Sequence, residues 1–399
     1  MSSASNSRAY SDNGVELALS GIRVLEFCQI AAGPFCGMLL SDMGADVVKV
    51  EPPSGDAMRQ WPPVTDGFSE NFSSVNRNKR SIALNLKSEE HLEVALQLIA
   101  KADVLVENNR PGVMDRLGLG YSSIAQLNSS LIYCSISAFG QTGPRSQEGA
   151  FDVTMQGISG IMSVTGEEGR PPVKCGVPLS DFATGLYAAF HITSALFERR
   201  STGKGVHIDA SMLGCSLGIA PLQVSEYFGT GNNPKRLDSR HPRNAPYQAF
   251  KASDGYFVLA AGNQKLYETV CSVIDRPDLV NDPRFTTTAK RAENQSALTE
   301  VLESQFSSGS ADLWYKRFRD AGVPSAPINS YGEALQDPQV LDQGWIQPLE
   351  LPNSRPTRTF AHPVMISDRN LPIRRRPPLL NEHYDEILEE IGYVNNEDA

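Results

Sequence analysis

The stretch GVPLSDFATG, residues 176–185, sets a carboxylate, Asp181, between a Gly-x-Pro loop and a long apolar-periodic run. An Asp ahead of a helix ordinarily accepts the orphan N–H groups of the first turn. The same position keeps a carboxylate ionised, which is what a carboxylate nucleophile requires. Capping and covalent chemistry both stand open at Asp181, and capping is the commoner use. Asp152, in GAFDVTMQGISG, reads as the cap of the helix that follows it. His191 lies inside the apolar run and reads as a satisfied interior or groove histidine rather than a base. Cys175 has no cation or histidine beside it in sequence to lower its pKa, so it reads as a buried thiol. Basic residues gather in NRNKRS (76–81), ENNRPGVMDRLG (107–118) and GPR (143–145). Each alone is ordinary solubilising charge; together on one sheet edge they would hold a phosphorylated ligand.

These residues need elements to place them. From residue 21 onward, GIRVLEF, GADVVKVEP, SIALNL (81–86), ADVLVEN, LIYCSISAFG and GVHIDASM read as strands, alternating with segments of helical periodicity. One such segment, SEEHLEVALQLIAKA, offers Ser88 as N-cap with Glu89 and Glu90 near the positive end of the dipole. Another helix is predicted over 182–199. Strands alternating with helices imply a doubly wound parallel sheet, whose ligands sit beyond the carboxyl ends of the strands. The loops expected there are CQIAAGP (28–34), EPPSGD (51–56), ENNRPG (107–112) and SAFGQTGP (137–144). None matches a dinucleotide or P-loop fingerprint. Past residue 225 the chain turns polar, and YQAFKASDGYFVLAAG then reads as two strands about a Ser253-Asp254-Gly255 turn.

The expected organisation is a polar tail over 1–20, a large Rossmann-like α/β domain over 21–225, a smaller α+β domain over 226–325 and a C-terminal segment over 326–399. At 399 residues, two or three domains is the prior. A net charge of −10 argues against a nucleic-acid partner. Six scattered cysteines without a C-x-x-C pair suggest reduced thiols, and dispersed histidines give no metal site. No apolar run reaches the roughly 18 residues that span a bilayer, so a cytoplasmic protein is expected.

VLEFCQIAAGPFCGMLLSDMGADVVKVEPPSGD, NRNKRSIALNLK, DVLVENNRPGVMDRLGLGY, LIYCSISAFGQTGP, FDVTMQGISG and VPLSDFATGLYAAFHITSALFERRSTGKGVHIDASM, in this order, resemble the class III CoA-transferases, the CaiB/BaiF family. The resemblance runs on through HPRNAPYQAFKASDGYFVLAAGN to PPLLNEHYDEIL. It implies that Asp181 is a nucleophile passing through a mixed anhydride and an aspartyl-CoA thioester. It implies backbone oxyanion donors at Ala31 and Ala32, and coenzyme A contacts at Ile30, Ala32, Lys79, Asn108, Asn109 and Arg116. It also implies a homodimer of interlocked rings, a C-terminal segment that returns to the large domain, and CoA thioesters as substrates with no tightly bound cofactor.

Three departures narrow the expectation. Formyl-CoA transferases carry an arginine where this sequence has Pro52 and a glycine run where it has RHPRNAP (240–246). The related α-methylacyl-CoA racemases place a histidine where it has Phe151. The expected function is transfer of CoA from an acyl-CoA donor such as succinyl-CoA to a small carboxylic or dicarboxylic acid, with His241 and Arg243 as acceptor contacts. The alternatives are a racemase, and a non-catalytic acyl-CoA-binding protein in which Asp181 only caps its helix.

Overall fold

The computed structural model describes residues 17–368 and 370–393. The expected polar tail lies largely outside them, but residues 17–20 already belong to the fold: Leu19 is buried and its N–H donates to the Met43 carbonyl.

Six strands form one sheet: β1 (Arg23–Phe27), β2 (Asp46–Glu51), β3 (Lys79–Ala83), β4 (Val104–Glu107), β5 (Ile132–Ser137) and β6 (Val206–Ser211). Every pairing is parallel, in the order β3-β2-β1-β4-β5-β6. That is the strand order of a doubly wound sheet, with its switch point between β1 and β4. Near-continuous apolar runs such as VLVE and IYCSIS form these strands because both faces are covered. One face packs Val94, Leu98, Ile99, Met114, Ile124 and, from the far end of the chain, Ile387 and Leu388. The other packs Cys36, Leu40, Ala188, Ile192 and Leu196, contributed by α1 (Ala32–Asp42) and by α4 (Leu179–Thr202). Two further helices matter to the site and the core, α2 (Glu89–Ala100) and α3 (Asp152–Ile158).

Two details differ from expectation. Ser88 sits at the N-cap of α2 with extended backbone, yet its hydroxyl makes no capping bond. Strand β3 begins at Lys79, two residues before the apolar run, because Lys79 and Arg80 find acidic partners inside the fold.

The chain divides into two compact units. The first comprises the described residues up to Ile161, Cys175–Gly229, and the described residues from Gln339 onward. The second comprises Met162–Lys174 and Thr230–Pro338; the short Met162–Lys174 excursion was not foreseen. In the second unit β7 (Tyr247–Lys251), β8 (Tyr256–Ala260) and β9 (Ser325–Pro327) form an antiparallel sheet in the order β9-β8-β7. The foreseen turn at Ser253-Asp254-Gly255 joins β7 to β8. Phe250, Phe257, Phe306, Trp314 and Phe318 build that unit's core. Among the described residues no helix is long and apolar enough to cross a membrane, and no cluster of His, Cys, Asp or Glu is fit to hold a metal ion.

Candidate active site

At the carboxyl end of β1 the chain turns through Gln29-Ile30-Ala31 into α1. Ile30 takes φ +70°, a left-handed conformation that costs a β-branched residue on the order of 1–3 kcal/mol. The turn aims the amino end of α1 into a cavity of about 320 Å³. There the first amides of a helix have no intrahelical partner, and Pro34 in the first turn supplies no donor at all. Ile30, Ala31, Ala32, Asn109, Arg110, Phe151 and Asp181 all line this cavity.

Asp181 lies inside the first turn of α4, whose N-cap is Pro178 and carries no capping side chain. The capping task falls instead to Asp152 of α3. Its Oδ1 accepts the Ser180 N–H at 3.0 Å, and its Oδ2 accepts from Gln156 Nε2 at 2.8 Å. This corrects both capping expectations: Asp152 caps the helix of Asp181 rather than its own, and Asp181 caps nothing. Among the described residues no hydrogen bond or ion pair engages the Asp181 carboxylate. Burial, with the Asp152 charge adding to it, pushes its pKa from 3.8 to about 6. The helix dipole alone would hold it simply ionised. Desolvation and a like charge outweigh the helix end here.

Close packing sets α4, which carries Asp181, against α1. Gly185, one turn on from Asp181, lets α4 settle on α1; a Cβ there would meet the Ala32 carbonyl at 2.8 Å and Phe35 at 2.9 Å. Gly37 does the same for α1 against β1, since a Cβ would lie 1.8 Å from Glu26 Oε2. Phe35 also packs on Phe182 with ring centroids 4.8 Å apart.

The expected ligand contacts divide. Asn109 lines the cavity, its N–H donating to Glu107 Oε2 at 2.8 Å. Asn108 also lines it, but its side chain is occupied: Oδ1 accepts the Gln29 N–H at 2.9 Å and Nδ2 donates to the Gln29 carbonyl at 2.8 Å. Asn108 therefore braces the turn. Arg116 is exposed on the short helix Val113–Arg116 and is not among the residues lining the cavity.

Lys79 requires a correction. It is fully buried, pairs with Glu26 at 2.8 Å and donates to the Pro34 carbonyl and Asn76 Oδ1, so it offers no exposed ammonium to a phosphate. Its neighbours are likewise spent internally. Arg77 pairs with Asp42, and Arg80 pairs with Asp46, Glu386 and Glu390. The NRNKRS cluster sits at the amino edge of the sheet, opposite the ligand edge, and sequence alone could not show its distant acids.

His241 and Arg243 belong to the second unit, where His241 Nδ1 accepts the N–H groups of Arg243 and Asn244, each at 3.1 Å. His191 is exposed on α4, its Nδ1 2.8 Å from the Tyr187 carbonyl.

The sequence marked Arg110 only as part of the basic ENNRPGVMDRLG loop, not as a site residue of its own. Its guanidinium packs against Gly149, where a Cβ would meet Nη2 at 2.9 Å. It borders both the Asp181 cavity and a neighbouring one of about 350 Å³ lined by Glu107, Tyr133, Ser135 and His207. In the latter, burial raises the Glu107 pKa to about 7, while Ser135 Oγ lies 3.0 Å from His207 Nε2. The signal available was Arg110 in ENNRPG, at a strand's carboxyl end.

A free carboxylate that shares a cavity with the amino end of a helix, at the switch point of a doubly wound sheet, suits acyl transfer. The sequence profile of CoA-transferase family III matches residues 19–384. The chain belongs to CoA-transferase family III.

The human succinyl-CoA:glutarate CoA-transferase is 38% identical over 386 residues, covering 96% of this chain and 88% of that one. The acetyl-CoA:oxalate CoA-transferase of Acetobacter aceti is 43% identical over 322 residues, 80% of this chain and 83% of that one. The succinyl-CoA:mesaconate CoA-transferase of Haloarcula marismortui is 36% identical, covering 94% and 96%. A crystal structure of a CaiB/BaiF family protein from Brucella suis superposes with a TM-score of 0.85 at 39% identity, covering 94% of this chain and all of that one. As a member of family III, this chain is an enzyme that transfers CoA between carboxylic acids.

Proposed function

We propose that Asp181 is the nucleophile of this transfer, with succinyl-CoA as donor and a small dicarboxylic acid as acceptor. The observation that carries the reading is that Asp152 caps α4 and leaves the desolvated Asp181 carboxylate free in the cavity that Ala31 and Ala32 also line. The donor and acceptor classes come from the names of the relatives, several of which pair succinyl-CoA with a dicarboxylate.

In the proposed sequence, an Asp181 oxygen attacks the thioester carbonyl carbon and the C–S bond breaks. This gives a mixed anhydride and CoA thiolate. The thiolate attacks the Asp181 carbonyl carbon, releasing the donor acid and leaving an aspartyl-CoA thioester. The acceptor carboxylate then attacks that thioester, and the expelled thiolate takes the acceptor's acyl carbon, restoring the Asp181 carboxylate. Each tetrahedral intermediate places an oxyanion that the Ala31 and Ala32 amides stabilise. Splitting the transfer keeps the acyl group activated throughout. A pKa of about 6 keeps Asp181 ionised at neutral pH, and its partial dehydration makes it more reactive than an exposed carboxylate.

The racemase alternative needs a second acid–base group on the opposite face of the substrate. Phe151, which the resemblance matches to the racemases' histidine, lines the cavity, and that lining includes no histidine. Succinyl-CoA and glutarate in D₂O distinguish the two: the proposal expects glutaryl-CoA without deuterium at carbon 2, whereas deuterated acyl-CoA with no exchange of acid would support the racemase. An acceptor role for His241 and Arg243 is part of the proposal; Arg243→Met should raise the acceptor KM at least about tenfold and leave the donor KM in place. The homodimer is likewise proposed, and sedimentation equilibrium at micromolar concentration tests it.

A further inference from the structure

The turn between β1 and α1 is shaped by charges that lie beneath it. Glu26, Lys49, Asp56 and Lys79 are all shielded from solvent. Lys49 Nζ lies 3.0 Å from Glu26 Oε1 and 2.9 Å from Asp56 Oδ2, and Lys79 Nζ lies 2.8 Å from Glu26 Oε2. Two cations and two anions thus cancel. Three of their other hydrogen-bond contacts reach the backbone of residues 28–34: Lys49 donates to the Cys28 carbonyl at 2.8 Å and Lys79 to the Pro34 carbonyl at 2.8 Å. Between them, the Asp56 carboxylate accepts the Ile30 N–H at 3.1 and 3.2 Å. The two ends and the middle of the turn are therefore held by one buried quartet.

Replacing a buried ion pair by apolar groups is often neutral for stability, so stability alone is a weak account of such a cluster. Direction is a better one. Ile30 adopts its φ of +70° at the residue whose N–H the Asp56 carboxylate holds. Burial pushes the Asp56 carboxyl up, but Lys49 beside it prevails and holds it below the ordinary range, so that the acceptor stays charged. Asp56 also accepts the Met58 N–H at 2.9 Å, which ties the EPPSGD loop to the same point. It is buried and is not among the cavity-lining residues, so it touches no reacting atom.

We infer that Asp56 is a positioning residue for catalysis: through the Ile30 amide it locks the left-handed turn that aims the Ala31 and Ala32 N–H groups at the carbon Asp181 attacks, with Lys49 and Lys79 anchoring the ends. The inference rests on the reading of Asp181 as nucleophile. It explains why a bulky β-branched residue can occupy a position that favours glycine.

The test is a double-mutant cycle on the full chain with succinyl-CoA and glutarate. Asp56→Asn keeps the size but turns one oxygen into a donor facing Lys49. It should lower kcat by about 10- to 100-fold, as when one oxyanion donor is misplaced, with the succinyl-CoA KM changed less than about twofold. Ile30→Gly relieves the strain, since glycine adopts positive φ freely. In that background Asp56→Asn should therefore lower kcat less than about threefold. A folded Asp56→Asn enzyme with unchanged kcat, or an equal loss in both backgrounds, overturns the inference. If Asp56→Asn does not fold, amide hydrogen exchange of the unaltered protein decides: Ile30 N–H protected from exchange supports the clamp, and unprotected exchange in folded protein overturns it. Formation of the Asp181 adduct by the unaltered enzyme is the control. Its absence would fault the nucleophile reading itself, whereas its presence with an indifferent Asp56 would fault this inference alone.

Discussion

At the residue scale the decisive matter is which aspartate caps and which is left free. Capping was legible in the sequence as a task but not as an assignment, because Asp152 reaches Ser180 across 28 residues of chain. The consequence can be measured. With the Asp181 pKa raised from 3.8 to about 6, the native state loses stability as pH rises from about 4 through 6, since burial opposes the charge. The displacement corresponds to about 3 kcal/mol. Asp181→Asn should therefore be more stable than the unaltered protein at pH 7.5 by up to about that amount, and equal to it below pH 4, in thermal melts across pH. Its turnover should fall by at least about 10³-fold. In the unaltered enzyme kcat/KM should climb through a pKa near 6, and a profile flat from pH 5 to 8 would refute the ionised-nucleophile role.

At the element scale, the site exists because three surfaces meet closely: β1, α1 and α4. The strands were legible because parallel strands covered on both faces read as short apolar runs. Strand β3 was only half legible, since Lys79 and Arg80 look like loop residues until Glu26 and Asp46 are known to lie beside them. The small residues that set the helix–helix distance were visible as DFATG and AAGPFCG, but nothing in the pattern said what they approach. Gly185→Ala puts a methyl group 2.8 Å from the Ala32 carbonyl and should push α4, with Asp181 at its start, away from the oxyanion amides. The expected result is a loss of about 1–3 kcal/mol in stability and a kcat at least about tenfold lower. A variant that melts lower but turns over normally would show that the spacing matters to packing alone.

At the scale of the whole molecule, the last helix among the described residues, Tyr384–Ile391, completes the first unit's core. Ile387, Leu388 and Ile391 are buried with Val94, Leu98 and Ile99 of α2, and Arg80 of β3 grips Glu386 and Glu390. The resemblance implied only that the C-terminal segment returns to the large domain; the long-range pairing through Arg80 was hidden among charges that looked like a phosphate site. Arg80→Ala should lower stability by about 2 kcal/mol, less than for a fully buried pair because the three acids are half exposed, and should make residues beyond Asn381 the first target of limited proteolysis. All of this scaffolding serves one carboxylate, and the most direct measurement addresses it. Succinyl-CoA is incubated with the protein in the absence of an acceptor, the mixture is treated with hydroxylamine or borohydride, and the peptide containing residue 181 is examined by mass spectrometry. The account predicts Asp181 converted to its hydroxamate or reduced to the alcohol, with no such change in Asp181→Asn. An enzyme that passes CoA from succinyl-CoA to glutarate while Asp181 stays unmodified under the same trap would contradict it.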